Sequence, residues 1–361
     1  MTNKKYFFIG IGGIGMSSIA QYLHDNGNVV FGYDKLIGQS VEILLKKGIE
    51  VIDKLSFDHV PDEMKLEDVI VIYTPAIKND NVFLDYFLSN GKNKILKRSQ
   101  ILGEISKNFK CIAIAGTHGK TTTTAIMSHL LYSSGIKFKA FIGGILKGFG
   151  SNFINTGDDY IIVEADEYDR SFLNLKPEFG IITSIESDHL DVYGSFESLN
   201  DSFKIFSRNI TNTLIANEEV DIIKDYSFSI NSEADYVAKN IRNIDKGICF
   251  DLKTPIRNYS NLFVNIIGMH NLKNVLSVLA LIDQINEINI EDVLPYLSDF
   301  KGVERRMEIY NFNNKVIIDD YAHHPTEIKS VYDTIKSRYK NKSTAVIFQP
   351  HLYSRTRDFM N

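Results

Sequence analysis

Residues 111–124, read as CIAIAGTHGKTTTT, carry side chains suited to phosphate chemistry. An apolar, strand-like run over 111–115 stops at Gly116, Thr117, His118, Gly119, Lys120 and Thr121. A helical pattern follows, with Ile126, Met127, Leu130 and Leu131 on one face. Strand, glycine-flanked turn, Lys-Thr and helix form the layout of a phosphate-binding loop. Small residues let backbone N–H groups close on phosphate oxygens, and the helix N-terminus adds positive potential. Lys120 is placed to reach terminal phosphates, and the Thr121 hydroxyl to meet Mg²⁺. Ile114 stands where the full signature has its first glycine, so a solvated turn with a chance Gly-Lys-Thr is the plainer alternative.

Two acidic clusters sharpen this reading. The apolar run over 161–163 ends in Glu164, Asp166, Glu167 and Asp169, and the run over 180–185 ends in Glu186, Asp188, His189 and Asp191. Carboxylates gathered at a strand end repel one another unless a cation neutralises them. In a parallel sheet both strand ends meet the same edge as the phosphate loop, where ligands bind. For either cluster alone a solvated acidic loop is the plainer alternative; two clusters beside a phosphate loop suit a Mg²⁺ site.

A third motif comes first in the chain. Gly10, Gly12, Gly13 and Gly15 follow a strand-like run and precede a helix, and Asp34 lies near the spacing of a ribose-binding acid. The spacing alone suggests NAD. The physics supports only a tight turn aimed at a diphosphate, which a UDP-sugar also carries, and a glycine turn used for close packing is the plainer alternative.

The elements that must position these groups alternate, predicting an α/β architecture with mainly parallel sheets. Strands are expected over 6–9, 28–33, 69–73, 315–318 and 345–348, and helices over 17–25, 99–105 and 268–286, with another from Thr326. Boundaries near Lys107 and Asp299 divide the chain into units at 1–106, 107–298 and 299–361. The third is shorter than a typical domain of ~100–150 residues and is expected to be incomplete. The 361 residues, 44% hydrophobic and 24% charged, describe an ordinary globular protein. A net charge of −5 gives no bulk reason to expect nucleic acid or a membrane surface as partner. Two cysteines make no disulfide framework, and the early glycines break the only signal-like run, so a cytoplasmic location is expected.

The phosphate loop, Glu164 to Asp169, Asp188-His189-Leu190-Asp191 with Tyr193, His270-Asn271 with Asn274, and Asp319-Asp320 with His323-His324 together resemble the Mur ligases. Residues 10–16 and Gln349-Pro350-His351 with Tyr353 and Arg355 are similar to the alanine-adding branch of that family. The resemblance runs over essentially the whole chain. It implies a Rossmann-like UDP-substrate unit, a central ATPase unit and an incomplete Rossmann-like amino-acid unit. The implied reaction is ATP-dependent joining of L-alanine to UDP-N-acetylmuramate through an acyl phosphate, in peptidoglycan precursor synthesis.

Site roles follow from the resemblance. Gly116, Thr117, His118, Gly119, Lys120, Thr121 and Thr122 are implied to hold ATP phosphates. Thr121, Glu164 and His189 are implied Mg²⁺ ligands, and His270, Asn271 and Asn274 lie on the adenine side. Arg305 and Asp320 are assigned to the nucleotide, while His324 and Arg355 lie towards the amino-acid site. Gly10, Gly12, Gly13, Gly15 and Asp34 are assigned to the UDP substrate. Lys120, Glu164, His189, His324 and Arg355 are the expected catalytic set. Three positions depart from the family pattern: Leu352 replaces an arginine, Ser184 an asparagine, and Met269 separates Gly268 from His270. The rival readings are an NAD-linked oxidoreductase, a non-catalytic nucleotide-binding regulator, and the sister ligase that adds a recycled tripeptide. The short third unit leads to the expectation of a truncated ligase with weak alanine-dependent turnover.

Overall fold

The computed structural model describes residues 3–77 and 80–350. Its first unit runs β1 (Lys5–Ile9), α1 (Ile14–Asp25), β2 (Val29–Tyr33), α2 (Gln39–Lys46), β3 (Glu50–Ile52), β4 (Ile70–Tyr73), α3 (Val82–Asn90), β5 (Ile95–Lys97) and α4 (Arg98–Ser106). All five strands are parallel, in the order β3-β2-β1-β4-β5. Central strand β1 is apolar at consecutive positions because both its faces are covered. Phe7 and Ile9 join Phe31, Phe83 and Phe87 on one face, while Tyr6 and Phe8 turn to the other, towards the second unit.

The second unit follows as β6 (Lys110–Ala115), α5 (Lys120–Ser133), β7 (Phe138–Leu146), β8 (Ser151–Asn155), β9 (Tyr160–Glu164), β10 (Phe179–Ile182), α6 (Leu190–Tyr193) and α7 (Phe196–Arg208). It continues through β11 (Thr213–Asn217), β12 (Tyr226–Ser229), β13 (Tyr236–Ile244), β14 (Gly247–Lys253), β15 (Asn258–Val264), α8 (Met269–Gln284) and α9 (Ile290–Val293). Its ten strands lie in the order β15-β14-β13-β12-β11-β10-β6-β9-β7-β8. The strands from β13 to β7 are parallel, and β14, β15 and β8 add antiparallel edges. β6 lies between β9 and β10, with Ile114 opposite Glu164 and Ala115 opposite Ile182. That register brings the phosphate turn and both acidic strand ends to one edge. Helices α5 and α8 bury their apolar residues in a core on one sheet face. The other face shares a continuous core with α1 and α4 of the first unit.

This first–second junction also holds a buried polar cluster. The Asn152 amide donates to Ile14 O (2.5 Å) and Ser17 Oγ (2.9 Å), and Gln21 Nε2 donates to Asn152 Oδ1 at 2.9 Å. Satisfied donors and acceptors at this depth stabilise one register of the two units, because any slip leaves them unpaired.

The third unit differs from expectation. Among the described residues its strands are β16 (Glu308–Phe312) and β17 (Lys315–Asp319), an antiparallel hairpin rather than a parallel pair, followed by α10 (Pro325–Arg338). Asn313 and Asn314, with φ of 47° and 61°, form the two-residue turn, the left-handed pair that hairpins favour. Residues 345–348 form no strand, and Ile347 is 98% exposed. A β-branched apolar run has strand propensity only in the presence of a neighbour to pair with, and no described strand lies beside this one. Helix α10 buries none of its residues. Among the described residues no helix is long and apolar enough to cross a membrane.

Candidate active site

The turn between β6 and α5 is built by close approach. Gly116 and Gly119 have φ of 135° and 82°, and a Cβ on Gly119 would lie 2.5 Å from Asn274 Oδ1 on α8. Only glycine fits there. Ser184, after β10, holds the turn from outside: Thr117 N–H donates to its carbonyl (3.0 Å) and His118 N–H to its Oγ (3.1 Å). The departure at Ser184 thus has a structural role of its own. No side chain caps the N-terminus of α5, which leaves its first amides directed at the turn.

Lys120 begins α5 and is folded against the acidic turn. Its Nζ donates to Gly116 O (2.6 Å) and to both oxygens of Glu167 (2.6 and 2.9 Å). Burial pulls its ammonium down, but Glu167, Asp166 and Glu164 together outweigh this and raise it, so it carries its charge. Burial pushes the Glu167 carboxyl up, against the pull of Lys120. The motif after β9 sends its four carboxylates to different partners. Glu164 accepts from Thr121 Oγ1 (3.1 Å) and Gly143 N–H (2.9 Å), and Asp166 pairs with Arg98 at 2.9 Å. Glu167 takes Lys120, and Asp169 takes Lys97 at 2.8 Å. Asp169 and Arg170 both hold φ of 53°, the left-handed bend that splays these side chains apart.

The three metal candidates named from the sequence therefore fall into two groups. Glu164 stands with Thr121, while His189 Nε2 lies 3.6 Å from Glu167 Oε1 and 3.7 Å from Asp188 Oδ2. Glu167, Asp188 and His189 bring one ligand atom each within 4.8 Å of one another. Hydroxyl and carboxylate oxygens beside a phosphate turn are the donors a hard cation such as Mg²⁺ prefers, so the residues present fit one. Sequence reasoning quoted Glu167 and Asp188 within their motifs but assigned them no role; a strand-end motif does not show which carboxylate bends back to the lysine.

Beside the turn lies a cavity of about 480 Å³ whose lining includes His118, Gly119, Thr122, Asn271, Asn274 and Asp320. His270 also lines it, and burial pulls its imidazole down to about 4, so it is neutral. The Asn271 amide donates to Ile267 O at 2.8 Å, and both Asp320 oxygens accept backbone N–H groups, from Met307 and Ala322. Arg306 lines the cavity, whereas Arg305 turns outward, 60% exposed and 3.7 Å from Asp319. Arg305 holds a left-handed φ of 57°, and both guanidinium groups lie over the Tyr321 ring, 5.0 and 5.4 Å from its centre.

The third unit reaches the phosphate turn through ionisable groups. His118 Nδ1 lies 3.2 Å from Glu327 Oε1 and its Nε2 3.5 Å from Glu186 Oε2. Burial opposes its protonation, but the two carboxylates more than offset that and push the imidazole up to about 9. Glu327 is held well below the usual carboxylate range: burial works against this, and His118 outweighs it. His324 caps α10 and contacts Ser187 O at 3.1 Å, its ring 4.7 Å from that of His118. The structure thus places His324 against the phosphate turn, while Arg355 lies outside the described residues.

In the first unit, the turn over 10–15 opens α1, with Gly13 at its N-cap. Asp34 spends both oxygens on this region, accepting from Gly12 N–H (2.8 Å) and Leu36 N–H (3.1 Å). Arg98 lies across the turn: a Cβ on Gly15 would sit 2.7 Å from its Nη1. Since Nη2 of the same side chain holds Asp166, one guanidinium joins the diphosphate-type turn to the acidic turn.

Family models match in three consecutive segments: the Mur ligase family catalytic domain over 5–110, the Mur ligase middle domain over 114–282, and the Mur ligase glutamate ligase domain over 305–361. The UDP-N-acetylmuramate–L-alanine ligase of Christiangramia forsetii is 42% identical over 99% of this chain and 79% of its own length. That of Flavobacterium psychrophilum is 41% identical over 98% and 79%. The solved UDP-N-acetylmuramate–alanine ligase of Thermotoga maritima superposes with a TM-score of 0.85 at 30% identity, covering 96% of this chain and 81% of that one. A murein peptide ligase of Psychrobacter arcticus shares the fold, with a TM-score of 0.75 at 24% identity. With its phosphate turn and acidic turn at one sheet edge and Arg98 linking them to the glycine turn of the other sheet, and with relatives of this closeness along nearly its whole length, the chain belongs to the Mur ligase family.

Proposed function

We propose that this chain joins L-alanine to UDP-N-acetylmuramate at the expense of ATP. The observation that carries the proposal is Arg98, whose single guanidinium touches the glycine turn assigned to the UDP substrate and the acidic turn beside Lys120. Two anion-binding turns in that proximity suit a reaction between a UDP-linked carboxylate and a nucleotide phosphate. In the first step a muramoyl carboxylate oxygen bonds to the γ-phosphorus and ADP departs. In the second the alanine amine bonds to the acyl carbon, the carbon–oxygen bond to phosphate breaks, and the amine loses a proton. A carboxylate is a poor acyl donor until its oxygen becomes part of a phosphate leaving group.

The chain's own groups orient and neutralise. The α5 N-terminus and Lys120 hold the phosphates, and Asn271, Asn274 and the neutral His270 bound the base. Thr121 and Glu164, with His189 beside Glu167 and Asp188, are the residues that would hold Mg²⁺. Such an ion, when bound, neutralises phosphate charge as it builds up. The test is phosphate release with UDP-N-acetylmuramate and ATP, offered a panel of amino acids and the murein tripeptide. Release stimulated by alanine supports the proposal; release stimulated by the tripeptide alone transfers the assignment to the sister ligase.

A further inference from the structure

We propose that Glu167 is the positioning residue of Lys120, an internal anion with which an incoming phosphate must compete. This rests on the reading of Lys120 as a phosphate ligand. An ammonium has three N–H donors. Those of Lys120 have three close partners, Gly116 O at 2.6 Å and the two Glu167 oxygens at 2.6 and 2.9 Å. Any phosphate oxygen that accepts from Lys120 therefore takes a bond away from one of them. Glu167 is fully buried, so solvent offers its carboxylate no replacement. Its backbone is also held, since the Tyr193 hydroxyl donates to the Glu167 carbonyl at 2.5 Å, and His189 stands 3.6 Å from Oε1.

Two consequences follow from this geometry. Glu167 keeps the lysine at the turn, in a single orientation, and it sets a penalty on every phosphate that recruits it. Removing the charge while keeping the shape, as Glu167→Gln does, leaves a little-exposed ammonium without its counter-ion, and a phosphate then relieves that cost. Phosphate-bearing ligands should gain affinity and phosphate-free ones should not.

The experiment is calorimetric titration of the full chain with β,γ-imido-ATP and, separately, adenosine, both with Mg²⁺, in the natural chain, Glu167→Gln and Glu167→Asp. Glu167→Gln is expected to bind the imido nucleotide about tenfold more tightly, about 1.4 kcal/mol, with adenosine unchanged within about twofold. Glu167→Asp, whose shorter arm weakens the contact without removing it, is expected to show a smaller gain and covers the case in which the Gln variant fails to fold. In steady state KM for ATP should fall by more than kcat changes, a split that a purely structural role does not produce. Imido-nucleotide affinity equal to or weaker than that of the natural chain in the folded variants overturns the role of Glu167 alone. A natural chain that binds neither ligand overturns the phosphate-loop reading and this inference with it.

Discussion

The second unit meets its two neighbours by opposite means. Against the first unit it offers mainly a continuous apolar core, with Tyr22 edging onto Phe141 and Phe153 and a polar cluster around Asn152, and only at the rim the ion pairs Arg98–Asp166 and Lys97–Asp169. Against the third it offers titratable groups: His118 with Glu327, Glu186 with Thr326 (2.7 Å), and His324 on Ser187. Apolar burial is non-directional and indifferent to pH, whereas charged hydrogen bonds act only in one geometry and one protonation state. The first junction is suited to permanence, and the second to engagement and release.

The largest effect should come from a residue that belongs to neither junction. Lys120→Ala is expected to cut ATP-dependent turnover by at least ~10²–10³-fold, the scale seen when a charge-stabilising group is lost. UDP-N-acetylmuramate binding should survive, because the first junction is untouched. Near-normal turnover in a phosphate-release assay would show that the central assignment is wrong.

Asn152→Leu attacks the permanent junction. It orphans Gln21 Nε2 inside the shared core, at roughly 1–3 kcal/mol, while the Ile14 carbonyl keeps only the Ser17 hydroxyl as side-chain donor. The main thermal transition should drop by several degrees, and calorimetry would show whether the first two units still melt together.

Glu327→Gln tests the releasable junction, with little effect expected on that transition. Trypsin should instead cut faster between Lys301 and Arg306, by about threefold or more, as the connection is uncovered. The pH dependence has a definite sign. His118 is raised to about 9, so its contribution to docking is full below its ordinary 6.5 and is lost as pH rises through about 9. Glu327 is lowered, so its contribution is present above 4.5 and is lost as pH falls below that. Docking should loosen above about pH 9 in a proteolysis series. In Glu327→Gln the His118 ring should titrate at lower pH by NMR; an unchanged titration would separate the pair.

The smallest effect distinguishes two neighbours. Arg305→Ala, exposed and outside the cavity, should move stability by no more than ~0.5 kcal/mol and leave KM for ATP alone. Arg306→Ala should raise that KM. The reverse pattern would mean that the third unit turns as it engages.

What the sequence revealed was local. The continuous apolar run of β1, the glycine-lysine turn and the long face of α8 each follow from spacing within a few residues. The hairpin turn at Asn313-Asn314 was equally local and was overlooked, because β16 has a half-exposed, mixed face rather than a clean apolar run. The rest depended on distance and backbone sign. Nothing near His118 announces Glu327, 209 positions later. Spacing does not show that Glu167 rather than Glu164 meets Lys120, that Asp169 and Arg170 bend left-handed just after it, or that Arg306 rather than Arg305 enters the cavity.

The contact between Gly119 and Asn274 makes a ruler of the nucleotide cavity. On the proposed nucleotide reading, one mark of the ruler is where phosphates end and the other where a base begins, and a Cβ on Gly119 would already lie 2.5 Å from Asn274 Oδ1. A lineage cannot lengthen one end without shifting the other. Any side chain at position 119 would push the base-side helix outward, and any bulkier residue at 274 would push the phosphate turn. On that reading, the fit to a base and the fit to a phosphate chain are coupled through residues 119 and 274, so a substitution at either would disturb both.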